Sequence, residues 1–214
     1  NGADVISTGN HIWDQRPIMN YIDSDPKLLR PLNFPEGTPG NGFGIYEARS
    51  GKKVMVINAM GRVYMDPLDD PFAAIEKVLS KVSLGLDVSA VLVDFHGEAS
   101  SEKQAIGHVL DSRVSVVVGT HTHVPTADYR ILPGGTAYQS DLGMTGDYNS
   151  VIGMQKKAAC GRFTTKLPQA RLEPATGEGT LCGLLIETDD QTGWAKSAAP
   201  VRIGGSLIAT RPQV

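Results

Sequence analysis

Three short runs of consecutive apolar residues constrain this chain more than any other feature: Val54-Met55-Val56-Ile57, Val91-Leu92-Val93 and Val116-Val117-Val118. Each is rich in β-branched residues and bounded by polar or turn residues, which predicts strands. None alternates with polar residues, so each strand is covered on both faces, as inside a parallel sheet. The predicted strands span 53–59, 88–95 and 114–119, with a shorter one at 4–7. Helical patterns lie between them. Asp70-Pro71 offers an N-cap followed by proline at the first helical position, then Phe72, Ile75, Val78, Leu79 and Val82 recur at helical spacing up to Gly85. Ser101-Glu102-Lys103-Gln104 reads as a capping box, with Ala105, Ile106, Val109 and Leu110 as the apolar face behind it. Strands alternating with helices define an α/β fold.

The last third reads differently. Segments 136–140, 181–187 and 194–203 are strand-like, and a turn at 189–193 makes the final two an antiparallel pair. Two Gly/Pro-rich stretches, 31–44 and 143–153, read as long loops, where function concentrates in compact domains. At 214 residues and 41% hydrophobic, the chain can bury a core without staples, and one domain over 1–214 is expected. The net charge of −3 argues against holding nucleic acid or an anionic membrane by bulk charge. No apolar run is long enough to span a bilayer. Cys160 and Cys182 stand far apart, which excludes a disulfide framework or a thiolate zinc site and agrees with a cytoplasmic location.

Four of the five histidines fall just beyond a predicted strand: His11 in Gly9-Asn10-His11, His96 in Asp94-Phe95-His96, and His121 and His123 in Gly119-Thr120-His121-Thr122-His123. Ligands of open α/β sheets collect at the carboxyl ends of strands. Three segments therefore bring imidazoles and the Asn10 amide to one edge. Neutral imidazole and amide oxygen are metal donors, and a set without cysteine suits hydrolytic chemistry. An extended H-x-H would send both rings to one side. His108 reads as a solvated helix residue. Asp94 and Glu98 read as a strand-end carboxylate and an exposed helix-start acid.

These blocks resemble the calcineurin-like metallophosphoesterases, whose ordered motifs include G-N-H, a single His after a strand and G-H-x-H. The acid that usually follows G-N-H is replaced by Ile12-Trp13-Asp14, and Thr120 is an extra residue in G-H-x-H. Those departures, with Arg30–Gly40, Pro67-Leu68-Asp69-Asp70-Pro71-Phe72 and Gly143-Met144-Thr145-Gly146, resemble the YmdB-like branch of 2′,3′-cyclic-nucleotide 2′-phosphodiesterases over nearly the whole chain. The resemblance implies layered β-sheets flanked by helices, an αββα sandwich. It implies two metal ions, iron with manganese as a substitute. Asn10, His96 and His121 would hold one ion and His123 would help hold the other. His11 would contact the phosphate and protonate the leaving oxygen. The family's first Asp and Glu-Asn pair are expected upstream of Asn1, so the chain is read as an N-terminally truncated copy. The substrate would be a small cyclic nucleotide, and the protein a homo-oligomer. Backbone amides of Gly143, Thr145 and Gly146 are the expected phosphate contacts, with Thr145 and Gly146 as the substrate-binding candidates. The same metal residues would serve a phosphomonoesterase or a 3′,5′-cyclic-nucleotide enzyme, and a non-catalytic regulator could retain the fold.

Overall fold

The computed structural model describes residues 2–167 and 170–212. In chain order the elements are β1 (Ile6–Ser7), α1 (Ile18–Tyr21), a 3-10 turn (Ile22–Ser24), β2 (Leu28–Leu29), β3 (Phe43–Glu47), β4 (Lys53–Met60) and α2 (Pro71–Leu79). There follow β5 (Ala90–His96), α3 (Ser100–Val109), β6 (Val116–Thr120), β7 (Arg130–Ile131), β8 (Ala137–Gln139), α4 (Lys156–Thr164), β9 (Leu181–Thr188) and β10 (Ala195–Ile203). A six-stranded sheet runs β3-β4-β5-β6-β8-β7. Its inner strands β4, β5, β6 and β8 are parallel, and the edge strands β3 and β7 are antiparallel to their neighbours.

The continuous apolar runs occupy the middle of this sheet, and both of its faces are covered. One face, with Met55, Ile57, Val91, Val93, Phe95 and Val117, packs with Ile75, Val78 and Leu79 of α2 and Ile106 of α3. The other, with Val116, Val118 and Ala137, meets Leu184 and Ile186 of β9 and Ala195 and Ala198 of β10. These last two strands form the expected antiparallel pair, with Ala198 opposite Ile186. The result is layered β-structure flanked by helices, as the resemblance implied.

Local departures have local causes. Asp70 caps α2 as predicted, accepting from the amides of Phe72 and Ala73. The helix stops at Leu79, short of Val82, because Ser80 Oγ donates to the Lys77 carbonyl and the Asp87 carboxylate takes the Ser83 amide into a turn. No capping box opens α3. Ala99 is its N-cap, and Glu102 instead accepts from the amides of Arg62 and Val63, tying down the loop after β4. The buried face of α3 is Lys103, Ile106, Gly107 and Leu110, while Val109 is exposed. A lysine heads that stripe because a buried carboxylate, Asp141, lies 2.8 Å from its Nζ.

Candidate metal and phosphate site

Residue register builds the site. Met60, His96 and Thr120 are lateral partners at the carboxyl ends of β4, β5 and β6. Side chains two apart on a strand share a face, so Asp94 and His96 point the same way. The segment after β1 lies over that face. Ser7 Oγ donates to Asp94 Oδ2 at 2.5 Å, and the Thr8 amide donates to Asn58 Oδ1 at 3.2 Å. A turn then closes with the Ile12 amide on the Gly9 carbonyl. Gly9 packs so closely that a β-carbon there would come within 2.2 Å of His96 Nε2. The glycine of G-N-H therefore allows backbone to rest on an imidazole.

This close approach brings Asn10, His11, His96 and His121 together. His96 Nε2 lies 2.9 Å from Asn10 Oδ1 and 3.2 Å from His121 Nδ1. Asn10 Nδ2 is 3.5 Å from His11 Nε2. Burial, reinforced by the charges of His121 and Lys103, pushes His96 down to about 3, so its ring is neutral at neutral pH. Burial also lowers His121 against the opposing pull of Glu98. Its Nε2 contact with Glu98 at 3.1 Å is thus a hydrogen bond rather than an ion pair at neutral pH. Asp94, buried beneath, is raised to about 6, chiefly by loss of solvent and against the hydrogen bonds from Ser7 and Thr120.

The H-x-H segment is not extended. His121 and His123 have φ of 107° and 67°, so strand alternation does not explain where their rings go. Such conformations cost about 1–3 kcal/mol each and persist when their surroundings impose them. Here the Asp141 carboxylate accepts from the intervening Thr122 amide at 2.9 Å, and buried Lys103 holds Asp141. His123 Nδ1 lies 2.9 Å from the Ile152 carbonyl, so its ring is turned to the 143–153 loop.

Glu98 stands exposed just ahead of α3 as expected, and in addition meets His121. The expectation for the 143–153 loop is corrected. The Gly143 and Gly146 amides are engaged within the protein, with Asp141 Oδ1 at 2.9 Å and the Thr180 carbonyl at 3.1 Å, because the loop pairs with the approach to β9. Thr145 Oγ1 accepts from the Cys182 amide at 3.4 Å. Three groups escaped sequence reasoning. Asp14 lies 2.9 Å from His11 Nδ1, supplying three residues later the acid missing directly after G-N-H. Thr120, the residue inserted in G-H-x-H, lies 3.0 Å from His96 Nδ1. Asp94 accepts from Thr120 Oγ1 at 2.8 Å. The insertion itself was the signal for the second.

The donor set fits a metal ion. Two neutral imidazoles and an amide oxygen approach within 3.2 Å, and these are first-row metal ligands. Among the described residues, no three His, Cys, Asp or Glu side chains form such a group by themselves, so the Asn10 amide is what completes this one.

A layered sheet with an Asn/His edge of this kind defines the metallophosphoesterase class. The chain belongs to the YmdB-like protein family, whose sequence model matches residues 1–201. It is 50% identical over 191 residues to the 2′,3′-cyclic-nucleotide 2′-phosphodiesterase of Bacillus subtilis, spanning 89% of this chain and 71% of that protein. It is 32% identical to a putative phosphatase/phosphodiesterase of Mycoplasma genitalium, over 94% of this chain and 72% of the other. Two crystal structures share the fold, each with a TM-score of 0.85. One is a hypothetical protein from Thermus thermophilus (41% identity, 96% of this chain, 78% of the other). The second is a Mycoplasma pneumoniae phosphatase (31% identity, 95% of this chain, 73% of the other).

Proposed function

We propose that the protein hydrolyses the phosphodiester ring of 2′,3′-cyclic nucleotides at a dinuclear metal site. The observation that carries this reading is the approach of Asn10 Oδ1, His96 Nε2 and His121 Nδ1 within 3.2 Å at the carboxyl edge of the sheet. Asn10, His96 and His121 hold one ion, and His123 contributes to the second. Iron is the proposed metal and manganese its substitute, since an imidazole and amide set accepts both. When bound, two such ions neutralise phosphate charge and activate water near neutral pH.

The remaining chemistry belongs to side chains. His11 sits beside Asn10 and is largely exposed, free to meet a phosphate entering from solvent. Asp14 engages its Nδ1, which leaves Nε2 to pass a proton to the departing ribose oxygen. The loop at 33–39 forms one wall near this turn. Arg30 fixes it by donating to the carbonyls of Pro39, Thr38 and Pro31, and buried Asn33 bonds both the carbonyl and the amide of Met60. Trp13 meets Phe34 edge-on at 6.0 Å, and both line a cavity of about 410 Å³. Thr145 is the proposed substrate contact of the 143–153 loop, and Gly146, whose amide is taken by the Thr180 carbonyl, anchors that loop.

Among the described residues no helix is long and apolar enough to cross a membrane, and Cys160 and Cys182 are free thiols. The free thiols support a cytoplasmic setting within the same reading. A homo-oligomer also belongs to it, supported by exposed Phe43 and Ile45 on edge strand β3. The test is a substrate panel on manganese-loaded protein: 2′,3′-cyclic AMP, 3′,5′-cyclic AMP and a phosphomonoester. Selective opening of the 2′,3′ ring supports the proposal. Equal or greater turnover of either other substrate rejects it.

A further inference from the structure

His96 has two possible neutral forms, and only one of them can bind a metal through Nε2. Hydrogen-bond bookkeeping decides which form the fold imposes. Thr120 Oγ1 lies 3.0 Å from His96 Nδ1 and 2.8 Å from Asp94 Oδ1. A hydroxyl has one proton to donate, and Thr120 donates it to Asp94 Oδ1, the closer of its two partners. The Thr120 proton is therefore spent on Asp94. Toward His96 the hydroxyl oxygen can only accept, so Nδ1 carries the ring hydrogen and Nε2 is bare.

The other Asp94 oxygen is also occupied, by the Ser7 hydroxyl at 2.5 Å. Ser7 ends β1, three residues before Asn10. One carboxylate thus ties together the strand that delivers Asn10 and the hydroxyl that orients His96. The consequence appears on the far side of the ring. Bare Nε2 faces Asn10 Oδ1 at 2.9 Å, and that oxygen is an acceptor as well. Two lone pairs so close repel each other, and a cation shared between them removes the repulsion. The alternative tautomer would place Nε2–H against Asn10 Oδ1 at a good hydrogen-bond distance. It would close the donor pair on itself and compete with any metal.

We infer that Ser7, Asp94 and Thr120 form a relay that selects the Nδ1–H tautomer of His96 and so holds its Nε2 open for a metal ion. Thr120 and Asp94 are positioning residues in this role. Outer partners of metal-bound histidines typically change affinity about 10–100-fold. The relay deepens the metal reading of the proposed function and rests on it.

The experiment compares the whole protein with Thr120→Val, which keeps the shape but lacks the hydroxyl, and Thr120→Ser, which restores it. Long-range ¹H–¹⁵N NMR on metal-free protein reads the His96 tautomer, its signals identified by their loss in His96→Gln. Calorimetric titration with Mn²⁺ reads affinity, and thermal unfolding checks that each variant folds. The expected result is Nδ1–H in the wild type and Thr120→Ser, Nε2–H in Thr120→Val, and about 10–100-fold weaker Mn²⁺ binding in Thr120→Val alone. An Nε2–H tautomer in the wild type overturns the inference without recourse to any variant. Unchanged tautomer and affinity in folded Thr120→Val overturn it too. A wild type that shows Nδ1–H but binds no Mn²⁺ confirms the tautomer selection and rejects the metal reading instead.

Discussion

Gly9 and His11 test the two halves of the site separately. A methyl group at Gly9 would clash with the His96 ring at 2.2 Å, so Gly9→Ala must push the Asn10 turn off the imidazole. Overpacking of this kind costs about 1–3 kcal/mol. The variant is expected to stay folded with a lower melting temperature and to lose Mn²⁺ affinity, measured by calorimetry. His11→Gln should do the reverse. The proposed general-acid role is worth about 10²–10⁴ in rate, so cyclic-nucleotide turnover is expected to fall by that range while bound metal per chain, read by plasma emission, stays constant. At this scale the sequence was informative where a residue type announces its chemistry. Asn10, His96 and His121 could be placed together because each follows an apolar run. Asp14, Thr120 and Asp94 could not, because a threonine or aspartate becomes informative only when strand register sets it beside a ring. The left-handed backbone of His121 and His123 was equally hidden, since it is imposed by the distant Lys103–Asp141 pair.

That pair joins α3 to the segment following β8, and both of its side chains are almost fully buried. Removing one partner leaves the other uncompensated, at a cost of about 3–5 kcal/mol. Lys103→Met should therefore lose that much stability in urea unfolding, even though it makes the α3 stripe wholly apolar. A second tie, Arg113 to Glu76 at 2.6 and 3.0 Å, links α2 to the approach of β6. The Arg113 hydrogen bonds hold the Glu76 carboxyl below its ordinary value. A depressed carboxylate contributes stability above its unfolded pKa of 4.5, and the contribution fades as pH falls through the folded value. Arg113→Ala should thus lower the melting temperature at pH 7, by an amount that shrinks as the pH falls below 4.5. The surviving elements show what periodicity can reveal. Strands β4, β5 and β6 were legible because an unbroken apolar run has few alternatives. The loop expected over 31–44 runs two residues into β3, whose short alternation is diluted by Gly42 and Gly44 at a sheet edge. Helix α4 has no apolar stripe, burying only Ala159, so nothing in its spacing could announce it.

The layers explain why so much chemistry sits on one edge of the molecule. Parallel β4, β5, β6 and β8 send their carboxyl ends the same way, and the face opposite the helices receives β1 and the β9–β10 pair. The β9–β10 pair shares a hydrophobic cluster with the main sheet, and we propose that residues 1–214 unfold as one domain. A single calorimetric transition is expected, and a separate early transition for the C-terminal strands would refute it. The layered class was legible from strand and helix alternation together with the motif order. The pairing of β1 with β2 apart from the main sheet was not, because it depends on Asp94 and Asn58 gripping Ser7 and Thr8 across the layers. The most direct test of the whole account follows 2′,3′-cyclic AMP by ³¹P NMR, using protein stripped of metal and the same protein reloaded with Mn²⁺. The account predicts 3′-AMP from the reloaded protein and none from the stripped protein, with His96→Gln losing both metal and product. Equal turnover by stripped and reloaded protein, or full turnover by His96→Gln, would contradict it.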